Sequence, residues 1–286
     1  MRRGSRLGAI LALASCQGGV GDAVIEPRPF LPDVTEALAG EVFRGTFSPD
    51  GSDFYFFSKV GEGEDYRVFV ASTEGDSSTA TLLPLGDANA SSMYPAVSPD
   101  GNQLVFSSSR GGDNAGLWMA ERSDAGWGEP RPIGASLSGH YNASSWFHPD
   151  GSLRFASTTP DWSETHFYRA EFADGDFAAA ELDTTWAEFD VGEGYHLWSG
   201  LLHPGGELAI LEVSARLEDG RLSPSDLWIS RRVEGVWSVA APLGGGVNTE
   251  GTENFPTFSP DGVTLVYVRD FEHFLELPVE ALRAAP

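Results

Sequence analysis

The tetrapeptide Ser-Pro-Asp-Gly occurs three times, at Ser48–Gly51, Ser98–Gly101 and Ser259–Gly262. Between them lie two degraded copies, His148-Pro149-Asp150-Gly151 and His203-Pro204-Gly205-Gly206. With Asp50, Asp100, Asp150, Gly205 and Asp261 as markers, the gaps are 50, 50, 55 and 56 residues. A repeat of this length belongs to propellers and solenoids, in which one supersecondary unit recurs and neighbours bury each other's faces. The tetrapeptide itself is turn chemistry. Pro presets φ, Asp bonds to nearby backbone, and Gly accepts conformations that other residues resist.

Apolar, aromatic and β-branched runs flank each turn, as in Phe43–Phe47 and Phe54–Phe57 around the first. Each pair reads as a hairpin. A third strand follows in each unit, at Arg67–Val70, Gly116–Ala120, His166–Ala170 and Asp226–Ser230. A weaker fourth is expected near Thr81–Leu85, Glu129–Ile133, Phe177–Leu182 and Val236–Leu243. No segment carries a sustained 3.6-residue apolar period, so helices should be scarce. The last unit ends after three strands. Glu26-Pro27-Arg28-Pro29 near the start repeats Glu129-Pro130-Arg131-Pro132, which lies in a fourth-strand region. The N-terminal copy is therefore the missing fourth strand of the final unit. The expectation is an all-β, five-bladed propeller of four-stranded antiparallel blades, closed by an N-terminal strand, a device that also hides sheet edges.

The run Ser98-Pro99-Asp100-Gly101-Asn102-Gln103-Leu104-Val105-Phe106-Ser107-Ser108-Ser109-Arg110-Gly111-Gly112 resembles the WD40-like repeat of TolB-type propellers. The continuations Leu117–Arg122 and Gly126–Pro130 fit the same pattern. The resemblance spans roughly residues 25–286 and implies a binding platform more often than an enzyme, although one fold hosts many activities.

Arg2, Arg3 and Arg6 precede a short apolar stretch, Leu7–Leu13, and then Leu13-Ala14-Ser15-Cys16. This reads as a lipoprotein signal peptide over residues 1–15, with Cys16 lipidated and residues 16–24 a short linker to a single propeller domain over 25–286. Gln17 follows the cysteine, which points to the outer membrane, facing the periplasm. Cys16 is the sole cysteine, so neither an intrachain disulfide nor a cysteine zinc site is available. Removing residues 1–15 takes away three arginines and moves the net charge from −24 to −27. That excludes nucleic acid and anionic lipid as partners, so the membrane would be reached through the anchor alone.

The loops that join second to third strands and blade to blade share the face opposite the Ser-Pro-Asp-Gly turns. Glu164, Glu188, Asp190, Glu193, Glu250 and Asp270 fall there, opposed chiefly by Arg110, Arg216, Arg221 and Arg269. An acidic face of this kind suits a basic envelope protein, a weak Ca²⁺ site, or solubility alone. Glu41, Tyr94, Asn142, His196, Glu253 and Asn254 precede or begin the innermost strands and are the expected channel-mouth contacts, for a sugar or a peptide terminus. Trp162 and Trp186 fall in loops of this face and are the expected exposed aromatic contacts. His148 and His203, on the turn face, are expected at the surface. No nucleophile elbow or phosphate loop is present. The sequence thus reads as a monomeric, non-catalytic envelope lipoprotein that binds a protein or a wall polysaccharide, with no cofactor beyond a possible Ca²⁺. The alternative is a glycosidase-like enzyme or a dedicated sugar-binding module.

Overall fold

The computed structural model describes residues 25–284 apart from 39, 62–64, 76–77, 88, 111, 113–114 and 163. Five antiparallel sheets run from an innermost to an outermost strand, in chain order in four of them. Blade 1 comprises Val42–Phe47, Asp53–Lys59, Tyr66–Ser72 and Thr81–Leu82. Blade 2 has Ser92–Val97, Gln103–Ser108, Gly116–Ser123 and Arg131–Pro132. Blade 3 has Tyr141–Phe147, Leu153–Thr158, Thr165–Ala170 and Glu181–Leu182. Blade 4 has Tyr195–Leu202, Leu208–Ala215, Asp226–Val233 and Ala241–Pro242. Blade 5 has Glu253–Phe258, Thr264–Arg269 and His273–Pro278, and its outermost strand is Arg28–Pro29 from the other end of the chain. The chain is thus an all-β, five-bladed propeller.

The closing strand pairs Arg28 with Glu276 and Pro29 with Leu275. The second copy of Glu-Pro-Arg-Pro does the same in blade 2, where Arg131 faces Met119 and Pro132 faces Trp118. Every outermost strand is only two residues long, shorter than the sequence suggested. In blades 2, 4 and 5 proline ends the ladder, because it has no N–H to donate and is tolerated only on an edge. In blades 2, 3 and 4 the region before the fourth strand forms a separate small hairpin, as at Phe172–Ala173 with Asp176–Phe177.

Each intact Ser-Pro-Asp-Gly turn is closed by its own side chains. Ser48 Oγ donates to Asp50 Oδ1 at 2.6 Å and accepts from the Asp53 N–H at 2.9 Å. Gly51, at φ 77°, bonds back to the Ser48 carbonyl. The turns at Ser98 and Ser259 repeat these contacts. In the fourth copy His203 stands in for serine. Its Nδ1 lies 2.9 Å from the Gly205 nitrogen and 3.0 Å from Glu207 Oε1, while Nε2 contacts the Gly262 carbonyl at 2.8 Å. His203 is consequently buried between two turns, contrary to the surface position expected for it.

The core lies between blades, in four apolar clusters. Trp118 and Trp228, at equivalent third-strand positions, pack against two of them as the repeat predicts. Among the described residues helix is limited to Pro32–Leu38, Val279–Ala284 and the 3-10 turn Thr184–Glu188. No helix among the described residues is long and apolar enough to cross a membrane.

Candidate functional site: the channel vestibule

The ladder between the innermost strand and the next breaks register in four regular places and once more in blade 4. The unpaired residues fall at Phe43–Arg44, Tyr94–Pro95, Ser144–Ser145, Trp198 and Phe255–Pro256. A bulge of this kind re-aims a side chain, and in Tyr94, Ser144 and Phe255 it drives the backbone to φ values of 52°, 51° and 54°. Such φ values are uncommon outside glycine and costly for a bulky residue, so the surrounding blades hold them in place. The consequence is a ring of side chains turned toward the central channel.

That ring divides the channel. On the turn face, a funnel of about 350 Å³ is lined by the five turn prolines, Pro49, Pro99, Pro149, Pro204 and Pro260, above apolar side chains. On the opposite face lies a vestibule of about 420 Å³, within the range of small-ligand sites. Six aromatic residues line it: Tyr94, Tyr141, Trp162, Trp198, Phe255 and Phe271. Trp162 is 53% exposed, has φ 59°, and lies 5.1 Å from the Tyr141 ring. Tyr141 meets Tyr94 edge-on at 6.3 Å, and Tyr94 meets Phe255 at 6.1 Å.

Polar side chains, among them Glu212, Ser214, Ser223 and Asn254, complete the lining. Glu212, in the second strand of blade 4, lines the vestibule yet is almost wholly buried. Burial pushes its carboxyl up, while the Phe255 N–H, Ser199 Oγ and the nearby Arg44 charge pull it down. Its Oε2 accepts from Ser199 Oγ at 3.0 Å and from the Phe255 N–H at 3.3 Å. Arg44 is 2% exposed and lies on the bulge of blade 1. Burial lowers its pKa to about 10, and Glu212 and Tyr94 act on it to raise it, so it stays a cation at neutral pH. Burial likewise drives the Tyr94 hydroxyl well above its ordinary value. Arg44 Nη1 and Asn254 Oδ1 are both buried without a hydrogen-bond partner, as is Ser145 Oγ.

Of the residues singled out from the sequence, Tyr94, Asn254 and Trp162 meet in this vestibule. Others do not. Asn142 is buried within blade 3, where Nδ2 donates to the Ala115 and Leu137 carbonyls at 2.9 Å. Glu253, at 0% exposure, accepts from the Thr249 N–H and hydroxyl and from Arg269 Nε at 3.0 Å. Both are structural locks of blade-to-blade loops. Adjacent strand residues face opposite ways, so Asn254 enters the vestibule while Glu253 turns into the protein. Glu41 sits exposed at the rim, 3.7 Å from Lys59.

His196 lines a separate groove between blades 3 and 4 with Thr165 and Arg216. Arg216 donates to His196 Nδ1 at 3.2 Å, which leaves the proton on Nε2 facing Thr165. Burial, and then the Arg216 charge, lower its pKa and keep it neutral. Trp186, expected as an exposed contact, is 5% exposed. The 3-10 turn that carries it, capped by Asp183, folds the indole back onto Trp146, Phe167 and Phe189. Cys16 and the expected leader lie outside the described residues. Among the described residues no group of three or more His, Cys, Asp or Glu is placed to hold a metal ion.

Arg44 and Glu212 were missed. Each left a sequence signal, a charge inside an apolar strand, as in Leu208-Ala209-Ile210-Leu211-Glu212-Val213.

No protein-family model matches the chain, and no curated protein matches it in sequence. Solved structures do. An endo-arabinase from Bacteroides thetaiotaomicron is similar at 16% identity and a TM-score of 0.56, over 88% of this chain and 97% of that one. A putative TolB from Agrobacterium tumefaciens is similar at 19% identity and a TM-score of 0.49, over 80% of this chain and 70% of that one. The TolB from Acinetobacter baumannii shares 17% identity at a TM-score of 0.47, over 84% of this chain and 54% of that one. Identities of this size carry architecture alone: the chain is a five-bladed β-propeller, with TolB-type propellers among the structures it is similar to.

Proposed function

We propose that the protein is a lipid-anchored envelope propeller that binds a saccharide in the aromatic vestibule without hydrolysing it. The supporting observation is the vestibule itself: flat aromatic faces around a cavity also lined by Asn254, whose buried Oδ1 has no hydrogen-bond partner. Aromatic faces pack against the C–H surface of a sugar ring, and its hydroxyls supply both donors and acceptors. Glycoside hydrolysis ordinarily needs two carboxyl groups about 5–9.5 Å apart across the scissile bond. Glu212 is the one carboxylate among the vestibule's lining residues, which favours binding over cleavage.

Binding to a panel of wall oligosaccharides, followed by calorimetry and a reducing-end assay, tests this. Trp162→Ala should weaken binding about tenfold, and no reducing ends should appear. Release of reducing ends in step with protein concentration would replace the binding reading with an enzymatic one. The anchor is tested separately: Cys16→Ser should move the protein to the soluble fraction.

The net charge of −24 favours a second reading, in which a basic envelope protein docks on the loop face. Such docking would weaken steeply with salt, whereas a saccharide held in the vestibule, neutral or acidic, is not drawn there by the chain's negative net charge and would not weaken so steeply.

A further inference from the structure

We propose that Arg44, buried beside the vestibule residues Glu212 and Tyr94, receives a carboxylate of the bound ligand, so that the saccharide is an acidic sugar of the uronate type. This rests on the saccharide reading above and names the ligand class within it.

Arg44 lies on the innermost strand of blade 1, at its bulge; Tyr94, Ser144 and Phe255, at the bulges of blades 2, 3 and 5, line the vestibule, and Arg44 adjoins it through the lining residues Glu212 and Tyr94. It is 98% removed from solvent by the rest of the ring. A guanidinium carries five N–H donors in a rigid fork. Among the described residues none of these donors makes a hydrogen bond to the protein, and Nη1 is buried outright. Burying a cation without hydrogen bonds is costly, and such a group persists where a ligand satisfies it. Glu212 acts on Arg44 electrostatically, but no ion pair or hydrogen bond joins them. The Glu212 carboxylate is already committed through Oε2 to Ser199 and the Phe255 N–H. It holds Arg44 charged without occupying its fork.

A carboxylate fits the fork in a bidentate manner, and charge-assisted bonds are roughly twice as strong as neutral ones. Asn254 Oδ1, buried and unpartnered beside the same cavity, is left to accept from a hydroxyl. The aromatic walls take the ring. A cation, a free acceptor and flat apolar faces together describe a uronic acid better than a neutral hexose, which leaves the fork with uncharged partners only.

The test is calorimetry at neutral pH with a galacturonate trisaccharide and the matching neutral galactose trisaccharide, on the wild type, Arg44→Gln and Glu212→Gln. The wild type should prefer the uronate by about tenfold or more. Arg44→Gln should erase that preference while keeping the neutral sugar's affinity. Glu212→Gln removes the competing negative charge and should widen the preference; it remains readable if Arg44→Gln fails to fold. Equal affinity for both sugars in the wild type, a preference that survives Arg44→Gln, or one unmoved by Glu212→Gln would overturn the Arg44 assignment and leave the saccharide reading standing. An N-acetyl dipeptide with a free carboxylate is the third probe. Arg44-dependent binding of that peptide with no sugar binding would overturn the saccharide reading and the uronate with it. Silence from all three probes would overturn both.

Discussion

At the scale of single residues, the molecule separates charges that hold it together from charges that it has to bear. Glu253 belongs to the first kind, with three donors on a fully buried carboxylate. Glu253→Ala leaves Arg269 and the Thr249 donors without their acceptor, and chemical denaturation should show a loss of about 3–5 kcal/mol. Arg44 and Glu212 belong to the second kind. Replacing both, as Arg44→Met with Glu212→Gln, should leave stability unchanged or raise it by up to about 4 kcal/mol. A clear loss of stability would mean that these two charges support the fold instead of the site. The turn aspartates set the acid limit. Hydrogen bonds from Ser48 and Ser52 lower Asp50 to about 2. At Asp150 burial opposes the shift, but Ser152 and His148 outweigh it and the value again falls to about 2. A carboxylate lowered on folding stabilises above its unfolded value of 3.8 and stops doing so as pH falls through the folded value. The denaturation midpoint should therefore drop between about pH 4 and pH 2, and an Asp50→Asn, Asp150→Asn variant should show a shallower drop there.

At the scale of strands and turns, legibility followed locality. The Ser-Pro-Asp-Gly turns could be read because serine, aspartate and glycine bond to one another within five residues. The closing strand could be read because its four residues repeat verbatim. The vestibule could be read only in part. Which side of an innermost strand faces the channel depends on a bulge, and a bulge shifts the alternation by a residue in a way no local pattern announces. Asn142 and Glu253 were placed one residue out for that reason. Trp186 was misplaced because a loop assignment assumes exposure, whereas the Asp183 cap winds the segment into a 3-10 turn that seats the indole. The seat is tight. A Cβ on Gly200 would come within 2.1 Å of Trp186 Cζ3, so Gly200→Ala should cost about 1–3 kcal/mol by overpacking. Gly235, at φ 85° in an open turn with nothing within 4 Å of such a Cβ, is the comparison: its alanine variant carries backbone strain without a clash. Near-UV circular dichroism of the tryptophan bands should change for Gly200→Ala and not for Gly235→Ala.

At the scale of the whole molecule, a chain of formal charge −24 is compressed into one ring. Like charges repel through solvent over about 10 Å at 0.1 M salt, and added salt screens them. Thermal unfolding should therefore move to higher temperature as sodium chloride rises from about 0.02 M to about 0.5 M. Ion pairs at the surface, such as Arg28 with Glu276 at 3.5 Å, weaken over the same range and contribute little in return.

The pairing of Arg28–Pro29 with His273–Pro278 has a consequence for the order of events in biosynthesis. Strand Arg28–Pro29 leaves the ribosome ahead of all four complete blades, and among the described residues its partner is His273–Pro278, made after them. Until then the opening strand waits, and the fifth sheet lacks an edge. A stalled or clipped chain that ends before residue 273 therefore stays an open arc, with two unpaired edges able to join those of another such arc.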